Sequence, residues 1–66
     1  MNLKMHNNIL RMINLLNEND LMTSSELAKE LDVDDRTVRR YKNYIKGLKI
    51  NIITKVGRNG GYYILK

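Results

Sequence analysis

Residues 23–45 read TSSELAKELDVDDRTVRRYKNYI, and two helices separated by a very short break can be read from them. Thr23-Ser24-Ser25-Glu26 is a capping-box pattern. A hydroxyl at the cap and a carboxylate three residues on satisfy each other's orphan amides ahead of an apolar-periodic run. The helix it starts carries Leu27, Ala28 and Leu31 on one face and stops near Asp32. Asp34 then reads as the N-cap of another helix, with Asp35 placed favourably against the helix dipole in its first turn. In that helix Val38, Tyr41, Ile45 and Leu48 recur at intervals of three and four, the spacing of a buried stripe. Gly47 is the expected end point, because glycine readily adopts the left-handed cap conformation.

Upstream, Ile9, Met12, Ile13 and Leu16 also recur at helical spacing and predict an amphipathic helix from about His6 to Asn17. The polar run Asn17-Glu18-Asn19-Asp20 ends it, and Leu21-Met22 has room for only a very short extended piece. Downstream the period changes. Ile50 to Val56 is rich in β-branched residues, Tyr62 to Leu65 is aromatic and aliphatic, and Gly57-Arg58-Asn59-Gly60-Gly61 separates them. That is a β-hairpin with a basic, glycine-rich tip, where Gly60 or Gly61 is expected at positive φ. The predicted fold is mainly α with a β-hairpin: helices over about 6–17, 24–31 and 35–46, a two-stranded hairpin over 50–65, and one domain spanning 1–66.

Charge is segregated along this chain of 66 residues. All seven acidic residues lie at or before Asp35, where only Lys4, Arg11 and Lys29 oppose them. The other nine basic residues, Arg36, Arg39, Arg40, Lys42, Lys46, Lys49, Lys55, Arg58 and Lys66, follow with no acid among them. A soluble surface normally interleaves the two signs, whereas an uninterrupted positive half is the footprint of a polyanion-binding module, most commonly for nucleic acid. With 42% hydrophobic and 29% charged residues the composition is that of a globular protein. The length leaves no room for a deep substrate cavity, and the absence of cysteine excludes disulfides and thiolate metal sites. The apolar stretch Ile9–Leu16 is broken by Arg11 and Asn14, so neither a signal peptide nor a membrane span is expected. A cytoplasmic protein is the default expectation.

Two short helices joined by a tight turn form a helix-turn-helix, whose second helix enters the DNA major groove. At 100° per residue Val38, Tyr41 and Ile45 fall within about 60° of one another, which leaves Arg36, Arg39, Arg40 and Asn43 on the opposite side. An arginine fork bonds guanine O6 and N7, and an asparagine amide bonds adenine N6 and N7, so this face carries the chemistry of base readout. Thr37 lies between the faces, within reach of a phosphate. Thr23 and Ser24 at the preceding helix start, and Lys55 and Arg58 on the hairpin, complete the candidate DNA-contacting residues. Residues 23–45 together with GRNGGYYIL (57–65) resemble the winged helix-turn-helix domain of the DeoR-like and WYL-domain-type bacterial transcriptional regulators, which also opens the biotin ligase/repressor proteins. The resemblance spans about His6 to Leu65. It implies that Arg36, Thr37, Arg39 and Arg40 face double-stranded DNA, that the hairpin is the wing, and that a ligand-binding or dimerising region belongs to a longer regulator. This chain has Asp34 where the family usually has a capping serine, and Tyr41 where it usually has aspartate after the paired arginines.

Other readings of the same residues are weaker. His6 is the only histidine and has no cysteine beside it to share a metal, and Asp32, Asp34 and Asp35 are accounted for by a turn and a cap. No nucleophile, base and orienting group occur together, so neither catalysis nor a cofactor is expected. The glycine-rich segment lacks the lysine and the strand–loop–helix context of a phosphate loop. Tyr41 and Tyr62 read as core residues, while Tyr44 and Tyr63 stay open between packing and base stacking. The alternatives are a winged helix that binds RNA or protein, and the regulatory head of a biotin-ligase-type enzyme. The DNA-binding reading is compatible with a homodimer formed through regions outside the domain or at its edge.

Overall fold

The computed structural model describes residues 3–57 and 60–65, and its elements run α1 (Leu3–Glu18), α2 (Ser24–Leu31), α3 (Asp35–Gly47), β1 (Ile52–Lys55) and β2 (Gly61–Ile64). Three helices followed by a two-stranded antiparallel hairpin constitute a winged helix-turn-helix. The core draws on every element. Ile9, Met12 and Leu16 of α1 meet Leu27, Ala28 and Leu31 of α2, Val38, Tyr41 and Ile45 of α3, and Ile52 and Tyr62 of the hairpin.

The helix starts follow the caps written in the sequence. Thr23 Oγ1 accepts from the Glu26 N–H at 3.1 Å, while the Thr23 N–H donates to Glu26 Oε1 at 2.9 Å. The Thr37 N–H donates to Asp34 Oδ1 at 2.8 Å. Helix α1 starts three residues earlier than its apolar pattern indicated, at Leu3. Met5 extends the Ile9–Met12–Leu16 stripe by one turn and packs against the core, so Lys4 is carried on a helix.

Helix α2 ends where its pattern indicated, whereas the closure of α3 departs from expectation. The break between α2 and α3 is made without glycine. Asp32 is left-handed at φ 56°, and the Val33 N–H reaches the Ala28 carbonyl at 2.9 Å. This is a Schellman closure, with Val33 and Ala28 in the positions of its usual apolar contact. At the end of α3, Gly47 remains helical and is not the left-handed cap. The Leu48 and Lys49 N–H groups donate to the Ile45 and Lys46 carbonyls at 3.0 and 3.1 Å, and Lys49, at φ 67°, takes the left-handed conformation instead. Leu48, expected in the buried stripe, is therefore carried past the last turn and is half exposed.

In the hairpin Ile52 pairs with Ile64 and Lys55 with Gly61, a shorter ladder than residues 50–65. Ile50 lies before β1 and packs on the core, while Val56 is exposed beyond it. The short extended piece is present at Met22, which bridges Tyr62 through N–H···O bonds of 3.1 and 2.7 Å. Strand β2 thus has β1 on one edge and Met22 on the other. Positive φ falls at Gly57 (119°), not at Gly60 or Gly61. What Gly61 supplies is space, since a Cβ there would overlap the Met22 carbonyl and the Thr23 Cα.

Candidate nucleic-acid interface

Helix α3 is polar on every side but one. Val38, Tyr41 and Ile45 are buried, and Arg36, Arg39, Arg40 and Asn43 are all exposed. At 100° per residue Arg36, Arg40 and Asn43 lie within about 60° of one another, and Gly47 continues their row. Asn43 and the two arginines therefore project together as one outward ridge. Arg39 lies at its edge, on the side of Lys42 and Lys46. Thr37 is half-buried on the other side, with Tyr44, which is 37% exposed. The side chain of Thr37 is partly engaged. Its hydroxyl, then its backbone N–H, then the nearby Arg36 charge hold the Asp34 carboxyl below the usual aspartate range.

Tyr41 is fixed from behind. It is 6% exposed, and its hydroxyl accepts a bond of 3.2 Å from Nδ2 of Asn8, itself a buried polar residue on α1. An unpaired amide would be costly in this core, so the bond ties the azimuth of α3 to α1. Nothing in the sequence distinguishes Asn8, because an asparagine on the polar edge of an amphipathic pattern is ordinarily solvated.

Clefts among the described residues border the basic elements. One, of about 500 Å³, lies between the start of α2 and the base of the hairpin and brings Thr23, Ser24 and Lys55 together with Gly57, Gly60 and Gly61. There the Thr23 hydroxyl also serves as the helix cap. A second, of about 480 Å³, is lined by Lys42, Lys46 and Lys49 and by residues 50–54. Lys42 and Lys46 lie four residues apart on one side of α3, and Lys49, left-handed just past its end, lines the same cleft. A third, of about 290 Å³, joins Lys4 and Met5 of α1 to Val33, Thr37, Arg40 and Tyr41. Arg58, expected at the hairpin tip, lies outside the described residues, as does Asn59. Tyr62 is buried as anticipated and Tyr63 is half-buried.

The sequence matches the family model of the HTH domain over residues 6–63, nearly its whole length. The chain belongs to the HTH domain family. No curated protein and no solved structure matches it significantly. The HTH domain is a DNA-binding rather than a catalytic family, and the element order here, with α2 and α3 as the paired helices and the hairpin as wing, is that of its winged form. Among the described residues of this HTH domain no helix is long and apolar enough to cross a membrane.

Proposed function

We propose that residues 1–66 form one winged HTH domain that reads double-stranded DNA sequence-specifically, as the DNA-binding part of a cytoplasmic bacterial transcriptional regulator of the DeoR-like or WYL-domain type. In this reading α3 lies in the major groove. Arg36, Arg40 and Asn43 meet base edges, and Arg39 meets a base or the adjoining phosphate. Lys42, Lys46 and Lys49 follow the backbone on the wing side, while Thr23, Ser24 and Lys55 reach phosphates at the start of α2 and the base of the wing. Arg58 at the wing tip contacts backbone or minor groove.

The observation that carries the proposal is the composition of the outward α3 ridge. Two arginines and an asparagine are aligned and exposed on a helix whose opposite side is anchored in the core. A ridge that served only solubility would not need side chains able to bond two atoms of one base. The test is selection of duplexes from a random pool, followed by titration of the preferred and a scrambled duplex against salt. With about four to six phosphates neutralised, log K against log salt should slope between about −4 and −5, and the preferred duplex should bind at least tenfold more tightly. A flat salt response between about 50 and 200 mM, or stronger binding to single-stranded or structured RNA, would refute the proposal.

A further inference from the structure

We propose that the cleft between the N-terminal turn of α1 and α3 is a phosphate-binding site, in which Lys4 and Tyr41 take one backbone phosphate of the bound duplex on the flank of α3 away from the wing. The proposal rests on the duplex-binding reading above and adds to it a site to which the acidic half of the chain contributes Lys4.

Lys4 and Arg40 line this cleft of about 290 Å³ together, with Met5, Val33, Thr37 and Tyr41 and no carboxylate in the lining. Two cations held on one small cleft repel each other until an anion lies between them. Asp34 does not serve as that anion, because its carboxylate is turned to the Thr37 N–H at the helix cap. Tyr41 adds a directed donor. Its hydroxyl accepts from Asn8 Nδ2, so its own hydrogen is left for another acceptor. A phosphate oxygen supplies that acceptor and the negative charge at once. The Thr37 hydroxyl is drawn to Asp34 and is not required.

The dimensions identify the phosphate as one in the DNA backbone. A helix about 10–12 Å across fills a major groove about 12 Å wide, so both of its flanks face a phosphate strand. One flank of α3 carries Lys42 and Lys46 beside the wing cleft. The other carries Thr37, Arg40 and Tyr41, too few charges to hold a strand unaided, and there α1 delivers Lys4. Helix α1 thereby becomes the second jaw of a clamp whose first jaw is the wing.

The test compares the parent with Lys4→Ala, Lys4→Arg and Lys29→Ala, all at positions exposed in the fold. Each is titrated with the preferred and a scrambled duplex over a range of salt, and then with preferred duplexes carrying one neutral methylphosphonate at successive backbone positions. Lys4→Ala should weaken both duplexes alike, by about tenfold at 50 mM salt, and make the salt slope shallower by about 0.9, the weight of one phosphate. Lys4→Arg should stay near the parent. Neutralising one particular phosphate should weaken the parent clearly more than it weakens Lys4→Ala. Parent-like affinity and slope in Lys4→Ala, while Arg36→Ala still loses its preference, would overturn the α1 site and leave the duplex reading standing. An equal loss in Lys29→Ala would also overturn it, since bulk charge would then explain the effect. A parent without salt-dependent duplex affinity would overturn the reading and the site together.

Discussion

Gly61→Ala is expected to destabilise the wing strongly through a single added methyl. An ideal Cβ at this position would overlap the Met22 carbonyl and press on the Thr23 Cα, all of it backbone with no side-chain end to rotate away. Relief requires β2 to move off Met22, which breaks the two N–H···O bonds joining Met22 and Tyr62. Those bonds are worth about 0.5–1.5 kcal/mol each. Met22 and Tyr62 are both buried, at 8% and 7% exposure, so parting them also wets apolar surface. With about 25 cal/mol per Å² of apolar area, re-exposing even a quarter of a tyrosine ring adds about 1 kcal/mol. The total comes to about 2–4 kcal/mol, a large share of the stability of so small a domain. At about 4–8 °C per kcal/mol the melting temperature should fall by roughly 10–30 °C. Thermal melts followed by far-ultraviolet circular dichroism measure the drop, and amide exchange at Met22 and Tyr62 locates it. A Gly61→Ala variant melting within about 3 °C of the parent, with both amides still protected, would refute the Met22 rung as the anchor of the wing.

Gly47→Ala should have the opposite sign: Gly47 is helical with open space around a Cβ, so the variant should gain about 0.5–1 kcal/mol in a denaturant titration, whereas a left-handed Gly47 would lose stability. Arg36→Ala, Arg40→Ala and Asn43→Ala should each lose about 1–3 kcal/mol on the preferred duplex and less on a scrambled one, and equal losses on both in a binding titration would remove α3 from the groove. Asp34 has its carboxyl lowered by Thr37, so its charged cap stabilises the fold above the ordinary aspartate range and is lost as pH falls through the lower folded-state value. The parent should therefore lose melting temperature below about pH 4, and Asp34→Asn, a cap that does not titrate, should respond less in the same pH series. Asn8→Leu should destabilise the fold by about 1–3 kcal/mol in a denaturant titration, because Tyr41 keeps a buried hydroxyl that has lost its donor.

Much of this molecule follows from local rules that act within a few residues. The Thr23–Glu26 and Asp34 caps, the Leu27–Ala28–Leu31 and Val38–Tyr41–Ile45 stripes and the β-branched hairpin strands each depend on neighbours three or four positions away, or on alternation along a strand. Residue order therefore suffices for the three helices, the wing and the arginine–asparagine ridge of α3. The charge split at Asp35 likewise needs no coordinates. Tertiary structure decided whatever depends on residues far apart in the chain. Where α3 ends was one such matter. Glycine is the usual left-handed residue, yet packing of Ile45 and Ile50 on the core puts the reversal at Lys49, where the backbone must accept an unfavourable φ. The roles of Asn8, Gly61 and Lys4 were others. Asn8 is a core residue only because Tyr41, 33 positions away, offers its hydroxyl. Gly61 is needed because Met22 crosses β2 at that point. Lys4 belongs by sequence to the acidic half, but folding α1 across α3 sets it beside Arg40. Periodicity and capping report the immediate neighbours of a residue. Which distant side chain meets it is a property of the packed chain alone.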